Sequence, residues 1–246
     1  GWGQVNITPG LTTTESFSIG TLATATMPSG WKVDKNTTVR TVGTYAGAGT
    51  ATEKVGGNGM STTASNGIYN FGAGDPSTAT DRSVGGLSSG SASKSVNVYV
   101  QLHNNGSTTI SSLTISYDVE KYRNGTNAAG FSIQMYYSSN GTTWTSAGND
   151  FLTSFAADGD NNGFTSAPGA TSSVSSKSLS QVIAAGGDLY LAWNYSVTSG
   201  TTTTNSQALG IDNVSITAVE SSTPIVVAPE FSPIAGTYYS AQNVTI

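Results

Sequence analysis

Five segments of this chain alternate apolar and polar residues with a period of two, and none sustains a period of 3.6. Val96-Asn-Val-Tyr-Val-Gln-Leu102 puts Val96, Val98, Val100 and Leu102 on one face, and the run 110–119 does the same with Leu113, Ile115, Tyr117 and Val119. The runs 131–137, 189–195 and 209–216 repeat the pattern. A strand turns successive side chains to opposite faces, so these runs suit strands with one buried face. Asn104-Asn-Gly106 separates the first two runs and reads as the turn of a hairpin. Ser176 to Ala185 is the sole helical candidate, and it reads equally well as a strand with a loop. The Gly-rich stretches 43–67 and 72–95 suit short strands with wide loops. Strands punctuated by turns, without helices between them, predict an all-β fold, an antiparallel two-sheet sandwich of jelly-roll type.

Composition narrows the function classes. Of 246 residues only 9% are charged, with 9 Lys and Arg against 14 Asp and Glu. A chain this poor in bases cannot displace the counterions of a nucleic acid, so no nucleic-acid partner is expected. No apolar run is long enough to cross a bilayer as a helix, so membrane insertion is not expected either. Without Cys there is no disulfide framework, and most thiol and zinc chemistry is excluded. Ser, Thr, Asn and Gly take the places that Lys and Glu fill in cytosolic proteins, which points to a secreted or cell-surface chain whose leader has been removed.

Catalytic signals are weak. Gly86-Leu-Ser-Ser-Gly90 fits a nucleophile elbow, but that elbow needs a helix after the Ser, then an acid and a His downstream. The single His, His103, sits beside Asn104-Asn-Gly106 and reads as a turn-flanking polar residue. No acid pair has the spacing of a glycosidase, so no enzyme is expected. Two places suit calcium. Asp158-Gly-Asp-Asn-Asn-Gly163 offers Asp158, Asp160 and Asn162 at alternate positions, either as a partial calcium loop or as an Asx-rich turn. Jelly-roll topology brings the first and last strands together, so Glu15 and Asp212 are a second candidate calcium pair, which would hold the chain ends together. The scarce charges Glu120, Asp81 and Arg123 suggest a buried ion pair, Glu120–Arg123 or Asp81–Arg123. Among the aromatics, Tyr122, Tyr137, Tyr195 and Trp2 are expected to be exposed, and Tyr122, Tyr137 and Tyr195 are the candidate ligand-binding residues. Tyr136 and Tyr137 are adjacent, so only one of them can face out.

Several motifs resemble a known kind of module. Asn66-Gly-Ile-Tyr-Asn-Phe-Gly72, Asp81-Arg-Ser-Val-Gly-Gly-Leu87, the run 115–125 (Ile-Ser-Tyr-Asp-Val-Glu-Lys-Tyr-Arg-Asn-Gly) and Leu209-Gly-Ile-Asp-Asn-Val-Ser-Ile216 are similar to a module of secreted bacterial multidomain proteins, found beside extracellular hydrolases. Glu15-Ser-Phe17 with Pro28-Ser-Gly-Trp31 resembles the opening of jelly-roll adhesin modules of Bacteroidetes surface proteases. After a linker at 220–228, the stretch 229–246 resembles the start of the Ig-like modules related to the C-terminal domain of chitobiase and hexosaminidase. The resemblance implies a sandwich over 1–219 with a non-catalytic structural or adhesive role, and a carbohydrate-binding accessory module as the alternative. The implied partners are a cell-surface protein or a glycan. The last stretch reads as a strand-like tail that could pair with another chain, or as the start of a further domain in a longer protein.

Overall fold

The computed structural model describes residues 3–221, 232, 236–241 and 243. The linker and tail expected at 220–246 lie almost wholly outside these residues, as does Trp2. Fourteen strands are described, β1 (Val5–Ile7), β2 (Thr12–Glu15), β3 (Trp31–Asn36), β4 (Lys54–Gly56), β5 (Gly67–Gly72), β6 (Arg82–Leu87) and β7 (Ser95–Asn104) in the first half. The second half supplies β8 (Ile110–Arg123), β9 (Phe131–Ser138), β10 (Thr145–Ser146), β11 (Leu152–Phe155), β12 (Ala170–Leu179), β13 (Asp188–Val197) and β14 (Ala208–Glu220). They form two seven-stranded sheets. The first, sheet A, runs β1-β7-β13-β9-β10, with β3 also paired to β7 and β11 to β9. Sheet B runs β12-β8-β14-β6-β5-β4, with β2 also paired to β14. All pairings are antiparallel except β1 with β7 and β4 with β5. The fold is an all-β two-sheet sandwich.

The alternating runs become the inner faces. Val96, Val98, Val100 and Leu102 of sheet A and Leu113, Ile115, Tyr117 and Val119 of sheet B enter one core, joined by Leu191, Trp193, Leu209 and Ile211. At its centre Trp31 and Trp193 stack 5.6 Å apart, and Tyr117 meets Trp193 edge-on at 5.6 Å. The expected hairpin of β7 and β8 is not formed, because the two strands belong to opposite sheets. Both present complete apolar faces, and these bury more surface against each other across the core than side by side. The crossing is pinned by Asn104, whose amide donates to the carbonyls of Thr108, Ile183 and Ala184. Of the two readings of 176–185, the strand with a loop is the one adopted, since β12 runs to Leu179.

Two further layers cover the outer faces. The loops 57–66 and 156–169 lie over sheet B and are tied together by Gly59 N–H to Phe164 O, Gly163 N–H to Met60 O and Ala167 N–H to Asn58 Oδ1. Beneath them Met60, Tyr69, Phe71, Leu87, Tyr122, Ala167 and Ala208 form a second apolar cluster. The loop 37–53 lies over sheet A in the same way, packing Tyr45 and Ala48 on Tyr99 and Ala192.

Candidate functional site

The three candidate ligand-binding tyrosines do not form a surface. Tyr122 is fully buried, stacked at 4.4 Å on Phe71, with its hydroxyl donating to Glu120. Tyr195 is buried in the main core, where its hydroxyl donates to Gln207 O and accepts from Ser88 N–H. Tyr137 packs against the main core, so Tyr136 is the member of that pair that faces outward. The reason is parity and cover: Tyr137 shares the inward face of Met135, and Tyr122 faces out of its sheet but lies under a loop layer.

In the first calcium candidate the side chains make contacts within the protein. Asp158 Oδ1 takes Lys121 Nζ at 2.6 Å, and Oδ2 takes Gly125 N–H at 2.9 Å and Gln207 Nε2 at 2.7 Å. Asp160 Oδ1 accepts from Asn124 Nδ2 and the Asn162 amide, and these bonds hold its carboxyl below the usual range. Asn162 contributes its backbone, its carbonyl accepting from Asn124 N–H. The segment makes Asx-type turn bonds clamped onto 124–126, with both Asp158 oxygens and one Asp160 oxygen accepting from protein donors. Asp158→Ala is expected to cost about 2 kcal/mol, because it strands a buried Lys121 and two donors. Urea unfolding would measure this, and the loss should be the same with or without EDTA.

The strand that carries Glu15 does lie on the last one, since β2 pairs with β14 and places Glu15 opposite Val214, whereas the first strand, β1, pairs with β7 in the other sheet. The acids of β2 and β14 nevertheless part. Asn213 has a φ of 49°, a value Asn tolerates, and the register against β8 slips between Asp212 and Ser215. Ile211 and Val214 both enter the main core across this irregularity, which leaves Asp212 on the outer face with Gly210. Glu15 instead accepts the amide of Phe17, a buried residue at φ 48°, at 2.7 Å. Neither expected Arg123 bridge forms. Arg123 donates to the carbonyls of Asn124, Ser61 and Ser206. The elbow-like Ser88 donates to Ser93 O, and His103 pairs with Asp188 at 2.7 Å on sheet A.

What the tertiary structure assembles is the outer face of sheet A. Register aligns Lys32, Tyr99, Ala192 and Tyr136 across four strands, with Tyr190 beside Gln101 and Ser138 in the next row. Tyr45 from the covering loop meets Tyr190 at 5.1 Å and Tyr99 at 6.5 Å, and Trp144 lies 5.5 Å from Tyr99. Trp144 is anchored by its indole N–H to Gly43 O at 2.7 Å. Tyr136, Trp144 and Tyr190 remain partly exposed, while Tyr45 and Tyr99 are buried beneath them. Burial raises the Tyr45 hydroxyl to about 12 and shifts Tyr190 upward too, so both are neutral donors at ordinary pH.

A polar network holds this platform. Asp34 Oδ1 accepts from Asn97 at 2.7 Å and Oδ2 from Tyr99 OH at 2.8 Å, and Tyr99 in turn accepts Gly43 N–H. Asn97 and Asn194 both reach Thr41 O. At the edge, Gln101, His103 and Asp188 form a linked polar group. Sequence parity marks Tyr99, Tyr136 and Tyr190 as facing away from the core runs. Their convergence depends on the order β7-β13-β9, which alternation does not encode.

No family model matches the chain, and no curated protein matches it. Among solved structures it is similar to the Cry4Aa toxin of Bacillus thuringiensis, at 11% identity over 89% of this chain and 25% of that chain, with a TM-score of 0.38. It is also similar to the K1 cleaved adhesin domain of Lys-gingipain from Porphyromonas gingivalis, at 14% identity over 85% of this chain and 99% of that domain, TM-score 0.37. A third likeness is to the CBM22-1–GH10 modules of Clostridium thermocellum xylanase 10B, complexed with xylohexaose, at 15% identity over 82% and 28%, TM-score 0.31. Likeness at this level carries no function across.

Proposed function

We propose that this chain is a non-catalytic extracellular adhesive module of a larger secreted or surface protein, and that it holds a glycan on the outer face of sheet A. The observation that carries the reading is the platform of Tyr136, Trp144 and Tyr190 over Tyr45 and Tyr99, flanked by Gln101, His103 and Asp188. Aromatic rings offer flat apolar faces to the C–H faces of sugars, while amide, imidazole and carboxylate groups bond the hydroxyls. The rings rest on strands rather than on a free loop, and the Asp34 network fixes their support before any ligand arrives, which lowers the entropy cost of binding. The low charge of the chain suits an uncharged glycan.

A glycan array spanning plant, bacterial and host polysaccharides tests this, followed by calorimetry on the hits. Tyr136→Ala and Tyr190→Ala are each expected to weaken binding tenfold or more, about 1.4 kcal/mol, with the melting temperature nearly unchanged. An array without hits would sink the reading. Hits that ignore both substitutions would move the site elsewhere.

A further inference from the structure

The outer face of sheet B carries a separate constellation. Since β6 and β8 flank β14, the register pairs Gly210 with Gly85 and with Glu120, and Ile211 with Val84 and with Val119. On β8 the partner of Asp212 is Asp118, with Glu120 two residues away opposite Gly210, and on the other side stand Ser83 and the Asp81 that precedes β6. Asp212 is fully buried, and neither of its carboxylate oxygens has a hydrogen-bond partner. Ser83 Oγ, also fully buried, has none either. Of the five such side-chain atoms among the described residues, three are at this one spot. Gly210 lets Ser83 come in close beside it: a Cβ there would stand 2.6 Å from Ser83 Oγ and 3.0 Å from the Phe71 ring, so those side chains already fill that space. Asp81 is exposed and marks the mouth, while Glu120 is buried with one oxygen held by Tyr122.

No Lys or Arg forms an ion pair with Asp81, Glu120 or Asp212 among the described residues. Arg82 spends its guanidinium on Asn70 and on the carbonyls of Pro76 and Ala79. A buried carboxylate without donors or counter-ion is costly, and nature relieves it with a proton or a bound cation. Oxygen donors alone, carboxylate and hydroxyl, favour a hard cation with a flexible shell.

We propose that Asp212 and Asp81 hold a calcium ion here, with Ser83 Oγ as a neutral ligand, water completing the shell and Glu120 adding charge beside it. Among the described residues no three His, Cys, Asp or Glu side chains converge into a closed cage, so several ligands are water. Affinity then falls in the range of extracellular modules, about 10⁻⁴–10⁻³ M. The ion bridges the central strand of sheet B to the segment leading into β6, on the face opposite Glu15.

The test uses the metal-stripped chain. Calcium at about a hundred times its dissociation constant is expected to raise the melting temperature by roughly 5–10 °C, with one site by calorimetry. Asp212→Asn and Asp81→Asn should each abolish both signals, whereas Glu15→Gln and Asp160→Asn should keep them. Asp212→Asn should leave the melting temperature of the metal-stripped protein no lower than wild type, because it keeps the bulk of the side chain and removes no donor bond. That retained stability separates loss of a ligand from damage to the fold, and Asp81→Asn, at an exposed position, is a second check. No heat and no shift in the wild type would overturn the proposal. So would a calcium response that survives in both Asp variants, or one lost in Glu15→Gln.

Discussion

Trp193→Ala is expected to lower stability by about 3–5 kcal/mol, the usual cost of emptying a large aromatic from a closed core. Trp193 is buried at the centre of β13, stacked on Trp31 and met edge-on by Tyr117. Its loss removes contacts to both sheets at once. The strands on either side of β13 are paired to it over eight or nine residues, so the surrounding backbone cannot collapse into the space. For a chain of this size the melting temperature should fall by roughly 6–20 °C. Trp193→Phe, which keeps a ring in the stack, should lose clearly less. If alanine costs under about 1 kcal/mol, the two-layer packing around Trp193 is wrong at its centre.

Asp34→Ala is expected to cost about 2–3 kcal/mol and to impair the binding platform together with the fold. It removes the acceptor of Tyr99 OH and one acceptor of the Asn97 amide, and buried donors left without partners carry the desolvation penalty. Tyr99 OH also accepts Gly43 N–H, and Gly43 O anchors Trp144, so the damage reaches the exposed rings. Hydrogen exchange at the Gly43 amide should quicken in this variant, and glycan affinity should fall even though no contact residue has changed.

Asp34 also sets a pH dependence. Burial raises its folded value, with the Asn97 and Tyr99 bonds opposing. A raised folded value means that the native state binds the proton more tightly than the unfolded chain. The stabilisation is therefore complete below the unfolded value of about 4, and it is lost as pH rises through the folded value. Asp34→Asn should flatten that part of the melting-temperature profile. An unchanged profile would show that the carboxyl is better solvated than its surroundings indicate.

Individual residues show how far the sequence reading reached. Val98, Ile115 and Trp193 were legible as core because each sits in an alternating run, and a sheet with one face buried leaves that imprint on its own strand. The approach of the Glu15 strand to the last one also came from the expected topology, and β2 lies on β14, although the first strand, β1, pairs with β7. The separation of Asp212 from Glu15 was not legible, because Glu15 pairs with Val214, beyond the slip. A single slip in register around Asn213 inverts the parity of the residues after it, and nothing local in Ile-Asp-Asn-Val announces it. Tyr122 was misjudged for another reason. Its parity away from the core was correct, but loops more than forty residues apart, 57–66 and 156–169, meet over it. The β7–β8 connection was misread because Asn and Gly allow a chain reversal without saying whether it stays in one sheet.

By itself the sequence determined the period of the strands, the inner face of each and the near absence of charge, because these are local properties written residue by residue. The sandwich and its core result from them. Only the tertiary structure decided which strands are neighbours, which outer faces are covered and which polar atoms are stranded. Those outcomes depend on contacts between distant segments, whose geometry is fixed when two sheets and their covering loops pack together. The aromatic platform on sheet A and the unpartnered carboxylate of Asp212 on sheet B both belong to that second class.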